Sequence, residues 1–157
     1  MLHLRILTVE KTIFEDTTVE EVVVPTTSGM IGVHGDHTPL VSIIKTGEIL
    51  VKKANETIPF VISSGILEVR PHSQVIILAN SSEDVRSIGV DEAEKAFNQA
   101  QKALADQGVV MDIGMVEQEK QISMATARTR DEESLTELKE QLRLKAARLK
   151  SVRRWRK

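Results

Sequence analysis

The stretch Gly29-Met30-Ile31-Gly32-Val33-His34-Gly35-Asp36-His37-Thr38-Pro39-Leu40-Val41 decides how this chain is read. Three glycines, one proline and two histidines lie between apolar runs. Glycine adopts positive φ without steric cost and proline holds its own φ. The stretch therefore reads as a tightly folded loop, entered from one strand and left into another. A few residues on, Lys45-Thr46-Gly47-Glu48-Ile49 reads as a second turn.

Outward from this stretch the pattern is that of a sheet. Leu2, Leu4 and Ile6 alternate with polar residues, as in a half-buried strand. Lys11 to Phe14 continues after a turn or bulge. Val19 and Val22 to Val24 form a β-branched run that should stop at Pro25, which lacks the ladder N–H. Thr26 to Gly29 is then a turn. Downstream, Ile49 and Val51 alternate, Ala54-Asn55-Glu56 is a hairpin turn, and Thr57 to Ser63 pairs back. Ser64-Gly65 leads into Ile66, Leu67 and Val69, and Pro71-His72-Ser73 leads into Val75 to Ala79. Short strands at this spacing predict a β-sandwich or barrel.

The character of the chain changes near Ser87-Ile88-Gly89. All four prolines precede position 72, and only Gly108 and Gly114 interrupt the chain after residue 90. Asp91 with Glu94 has capping-box spacing, which predicts an N-cap at Asp91. Ala93, Ala96, Phe97, Ala100, Ala103 and Leu104 then mark one face of a helix running to about Asp106. Gln107 to Gly114 reads as a break, and Met115 to Thr129 as a weakly amphipathic, helix-compatible piece. A last helix starts at Asp131-Glu132-Glu133 and carries Leu135, Leu138, Leu142, Leu149 and Val152 at heptad-like spacing.

Composition narrows the function. Of 157 residues 41% are apolar but only 3% aromatic, so the core is aliphatic. The absence of cysteine excludes disulfides and thiolate metal sites and fits a reducing compartment. No apolar run reaches the roughly 20 residues of a bilayer span, and the first residues lack a secretory signal pattern. The net charge of −2 conceals an asymmetry: residues 139–157 hold nine Lys or Arg against one acid, Glu140. No Walker A, dinucleotide-binding, nucleophile-elbow or zinc-protease pattern is present.

These residues resemble the epsilon subunit of F-type rotary ATP synthases. The resemblance is carried by Gly32-Val33, by His37-Thr38-Pro39-Leu40, by Thr46-Gly47-Glu48 and by Ser63 to Val69. The family's usual Pro-Gly before the histidine is replaced here by Gly35-Asp36, and Ser64 stands at a family glycine. Ala147 to Arg154 is similar to the end of the family's second C-terminal helix. Residues 108–130 read as added material between the two helices.

The resemblance implies an α+β, two-domain fold. An N-terminal all-β sandwich of about ten short strands spans residues 1–86. A C-terminal α-helical hairpin, with an inserted segment, spans 87–157. It implies a non-catalytic central-stalk subunit that couples proton-driven rotation to ATP synthesis and restrains ATP hydrolysis through its helices. The implied partners are the gamma subunit, the membrane rotor ring of c subunits and the catalytic beta subunits, at the cytoplasmic face of the membrane. The implied contact residues are Met30, Ile31, Gly32, His37 and Pro39 in the sheet, and Arg148, Arg153 and Arg154 in the last helix. Where many family members carry Glu, this chain has Met30.

Other readings compete at individual residues. His34, Asp36 and His37 do not make a metal site without further converging ligands, so no metal and no cofactor is expected. Some family members bind ATP through Ile/Leu-Asp-x-x-Arg-Ala. Here Val90-Asp91-Glu92-Ala93-Glu94-Lys95 keeps Asp91 but places Glu94 where Arg would pair with phosphate. The basic end admits a solvated helix, nucleic-acid binding with Trp155 stacking, or a contact with acidic protein loops. The alternative function is thus a basic helical nucleic-acid-binding protein with a β-sandwich; a metal hydrolase is a distant third.

Overall fold

A computed structural model describes residues 1–106 and 132–155. Ten strands come first: β1 (Leu2–Thr8), β2 (Thr12–Val19), β3 (Glu21–Thr26), β4 (Gly29–His34), β5 (Leu40–Ile44), β6 (Gly47–Lys53), β7 (Glu56–Ile62), β8 (Gly65–Arg70), β9 (Gln74–Ala79) and β10 (Ser82–Asp84). A single 3-10 turn, Val85–Ser87, leads to helices α1 (Val90–Asp106) and α2 (Glu132–Trp155). The expected break after residue 106 and the helix-compatible piece beyond it lie outside the described residues.

The strand order is β10-β7-β6-β3-β5-β8-β9-β1-β2, with β4 paired to β3. All pairs are antiparallel except β1 with β9. Register aligns the apolar alternation of neighbouring strands into inward rows. Ile6, Ile77 and Leu67 form one, and Leu4, Val75 and Val69 the next. Val33, Val22, Val51 and Ile58 form a row in the other half of the sandwich. All of these side chains are buried in one continuous aliphatic core. Each contributes about 1.5–3 kcal/mol by leaving water. Phe14 of β2 meets Phe60 of β7 edge-on across the layers, with ring centroids 5.3 Å apart. Lys53 Nζ on β6 lies 2.6 Å from Asp16 Oδ2 on β2 and ties the two layers at the rim.

Three local expectations need correction. Strand β3 does not stop at Pro25; it runs to Thr26. Pro25 is tolerated because β3 changes partner there. Its pairing with β6 reaches only Val23, and the next contact is with β5 at Thr26. The Pro25 carbonyl still accepts from Lys45 N–H at 3.0 Å. Second, Gly29 to His34 is a strand, so the loop proper is residues 35–39. Its left-handed residue is Asp36 at φ 59°, a residue type that tolerates this region. Gly29, at φ 116°, is the position where glycine is needed for the β3–β4 turn.

Third, the cap of α1 is Gly89. The first intrahelical bond runs from Ala93 N–H to the Gly89 carbonyl, which places Asp91 inside the first turn. Helix α1 buries Ala93, Phe97, Ala100 and Leu104; Ala96 is half-buried and Ala103 exposed. Helix α2 buries Leu142, Leu149, Ser151 and Val152, with Leu138 half-buried. The two helices form a hairpin, and their apolar faces close over Val85 and Ile88 and over one strand residue, Val61.

We propose that the chain divides at residue 86, because nearly all of the sandwich core lies among residues 2–79. A fragment comprising residues 1–86 is expected to unfold cooperatively with a β-type circular dichroism spectrum. A disordered fragment would refute the boundary.

Asp16 supplies a second check. Its hydrogen bond from Lys53, helped by Thr18, lowers its pKa from 3.8 to about 2. The stabilisation is therefore complete above the unfolded value and lost as pH falls from about 4 towards 2. Asp16→Asn should cost about 1 kcal/mol at neutral pH, the pair being partly open to solvent. Urea midpoints of the two proteins should draw together as pH falls towards 2 and meet only below it; a gap that does not narrow over that range would exclude the ion pair as its source.

Candidate functional site

The opening stretch does not form one site. Strand β4 separates its two ends by roughly 17 Å, at 3.4 Å per residue. At one end is the β3–β4 turn, closed by Thr26, whose Oγ1 donates to the Gly29 carbonyl at 2.7 Å. Met30 stands beside it, 63% exposed. Ile31 turns inward against the core, and Gly32 is exposed again. Above Gly32 the Glu21 carboxylate spans to Lys52 Nζ at 2.5 Å and His34 Nε2 at 3.4 Å. A Cβ on Gly32 would lie 2.9 Å from Glu21 Oε1, so the glycine makes room for this bridge.

At the other end, residues 35–39 are pinned to the β8–β9 turn. Asp36 N–H donates to Ser73 Oγ at 3.0 Å, and His37 N–H to the His34 carbonyl at 3.3 Å. His37 Nδ1 donates to the Thr38 carbonyl at 2.8 Å. These bonds shape the loop; His34 is engaged separately with Glu21. Pro39 is exposed and delivers the chain directly into β5.

Strand β5 reveals a surface that sequence reasoning missed. Ile43, Ile66 and Leu78 are register partners across β5, β8 and β9, so they form a continuous row. They face outward, 61%, 48% and 47% exposed, and Val41 beside them is 73% exposed. A contiguous apolar face of this kind marks an interaction surface. Its trace in the sequence is the doublets Ile43-Ile44, Ile66-Leu67 and Ile77-Leu78, apolar at both parities of a strand. Alternation alone identifies only the inward member. At the start of this pairing β8 and β9 approach closely at Gly65, where a Cβ would meet the Leu78 carbonyl oxygen at 2.3 Å.

The basic end of α2 lies elsewhere, against β6 and α1. Arg148 Nη2 lies 2.8 Å from Glu83 Oε2 and 4.0 Å from Glu92 Oε1. Arg153 Nη2 lies 2.8 Å from Glu94 Oε1. Arg154 Nη1 lies 3.3 Å from Glu48 Oε2, and its guanidinium sits 5.8 Å over the Trp155 ring. Ser151 Oγ and Trp155 Nε1 donate to Glu48 Oε1 at 2.8 and 2.5 Å. Thr46 and Glu140 add a further hydrogen bond from the turn before β6 to α2. Asp91 is exposed in the first turn of α1, and its near neighbours Glu92 and Glu94 engage the arginines.

Comparison with known proteins follows the same outline. The family model for the ATP synthase Delta/Epsilon chain, beta-sandwich domain, matches residues 1–85. The ATP synthase epsilon chain of Dehalococcoides mccartyi is 34% identical over 129 residues, covering 82% of this chain and 89% of that one. The epsilon chain of Chloroflexus aggregans is 39% identical over 99 residues, 63% of this chain and 70% of its own. Among solved structures, a chain of the Euglena gracilis mitochondrial ATP synthase superposes with a TM-score of 0.67 at 16% identity, covering 96% of this chain and 81% of that one. A chain from the central stalk and c-ring of the Tetrahymena thermophila enzyme gives 0.56 at 11% identity, covering 96% of each. The sandwich, the helical hairpin and these relatives together make this chain a member of the ATP synthase epsilon family, a non-catalytic subunit of the central stalk.

Proposed function

We propose that the apolar face of Val41, Ile43, Ile66 and Leu78 seats the chain on the gamma subunit of an F-type ATP synthase. The observation that carries this reading is the exposed row itself, which no element of the chain covers among the described residues. His37 and Pro39 belong to the same contact, because their loop runs straight into β5. Met30 and Gly32, at the far end of β4, face the rotor ring of c subunits, and Ile31 supports them from the core side. With Met30 in place of an acid, that contact is apolar on this side. The chain then turns with the stalk during proton-driven ATP synthesis. It is held peripherally at the cytoplasmic face of the membrane through the complex; no helix among the described residues is long and apolar enough to cross a bilayer.

Helix α2 is the regulatory element. Its arginines, Arg148, Arg153 and Arg154, are suited to acidic loops of the catalytic beta subunits, and such a contact restrains ATP hydrolysis when the hairpin opens. Ile43→Asp with Ile66→Asp should abolish co-purification with gamma while the isolated protein keeps its fold. Deleting residues 132–157 should do the reverse: assembly persists and hydrolysis rises several-fold. Added salt should relieve the restraint of the intact chain, since exposed charges are screened beyond roughly 10 Å at 0.1 M. Retained assembly in the first case would exclude the sheet face as the gamma contact. Unchanged hydrolysis in the second would exclude α2 as a brake.

Asp91 is assigned no nucleotide. The guanidiniums that reach α1, on Arg148 and Arg153, are paired with carboxylates that phosphate would have to displace. Calorimetric titration of the isolated protein with ATP should give no saturable heat. Micromolar binding would show that other residues build a site.

A further inference from the structure

We propose that Glu48 is the catch of a latch within this chain, holding the last turn of α2 on β6. Engaged, it keeps the basic end of α2 against the chain's own carboxylates and away from any acidic partner. The inference rests on the reading of α2 as a brake only for its consequence in the complex; the latch itself is a property of the isolated chain.

Two observations carry it. First, the hairpin meets the sheet through a small apolar footprint. Only Val61 among the strands joins the helical cluster, with Val85 and Ile88 in the connection. So few apolar contacts leave docking finely balanced, and polar contacts then decide the equilibrium. Second, three of those polar contacts converge on one residue, the others being Thr46 with Glu140 and Arg148 with Glu83. The Glu48 side chain is 18% exposed and receives three donors, from Ser151, Arg154 and Trp155. All three lie on α2, more than a hundred positions away in sequence. Hydrogen bonds to an ionised acceptor are the stronger kind. The other ion pairs at the basic end differ in kind: Arg153 is 63% exposed and Glu94 is on α1, so their pair holds the two helices together without reaching the sheet. Arg148 reaches Glu83 on β10, a second tie placed one turn nearer the middle of α2.

The latch has its own reporter. Trp155 is the single tryptophan and donates to Glu48 directly. In the isolated full-length protein, Glu48→Ala should increase acrylamide quenching of Trp155 and accelerate amide exchange in the last two turns of α2 by about tenfold, the effect of losing a charge-assisted hydrogen bond. Amides of β1 and β9 should keep wild-type protection, which shows that the sandwich is intact. The near-isosteric Glu48→Gln should give a smaller change in the same direction. Glu94→Gln, which removes only the partner of Arg153, should leave Trp155 as protected as in the wild type. Wild-type quenching and exchange in both Glu48 variants would overturn the proposal. Equal release by Glu94→Gln would also overturn it, since the catch would then be diffuse charge and not Glu48. In the assembled ATP synthase, Glu48→Ala should hydrolyse ATP more slowly than wild type. Release of Trp155 without that slowing would uphold the latch and refute the brake.

Discussion

The parallel pairing of β1 with β9 is the contact on which the rest of the molecule depends. It joins the first strand to the last long one, from His3 with Gln74 to Thr8 with Ala79. Every other strand pair is antiparallel, and most link strands close in sequence. This one closes a loop of about seventy residues, whose ordering entropy must be offset by what the closure buries. What it buries is the centre of the core: Leu4 beside Val75 and Ile6 beside Ile77. The neighbouring β8–β9 pair begins at Gly65, whose missing side chain allows the Leu78 carbonyl to approach.

The same register that fills the interior creates the outer face. A strand apolar at one parity needs a single covering layer; one apolar at both needs two. In β5, β8 and β9 the second set, Ile43, Ile66 and Leu78, is lined up by the pairing that buries Ile44, Leu67 and Ile77. Core and exposed apolar face are two sides of one alignment, so a change of register would lose both at once.

The helical hairpin is attached on different terms. Its own cohesion is apolar, from Phe97, Leu104, Leu142 and Leu149, but its grip on the sheet is largely polar. A hydrophobic seam a few side chains wide can be exchanged for another without breaching the sandwich core. An element bound to its neighbour by a small seam and a few charged contacts is suited to two positions. The basic end is a structural contact, and the proposed brake requires it to be displaceable as well.

The amino-acid sequence by itself determined most of the strands and turns and both helices, because period-two and period-3.6 patterns follow from local backbone geometry; β4 was read as part of a loop and β10 was not read at all. Leu2-Leu4-Ile6 and Ala93-Phe97-Ala100-Leu104 declared their buried faces without knowledge of any partner. The family was legible too, in Gly32-Val33, His37 to Leu40 and Ser63 to Val69, since turns that need particular residue types leave them at particular spacings. Pro25 and Asp91 were misjudged for a local reason: proline stops a strand only where its N–H is wanted, and the carbonyl of Gly89, not a side chain, set the start of α1. Tertiary structure alone decided the rest. Alternation says which residues share a face of one strand, but only register says that Ile43, Ile66 and Leu78 stand in one row. Charge counts showed that the last helix is basic, but only the packed fold brings Glu48, Glu83 and Glu94 to its arginines. Contacts between residues a hundred positions apart have no local signature, because nothing in the nearby chain responds to them.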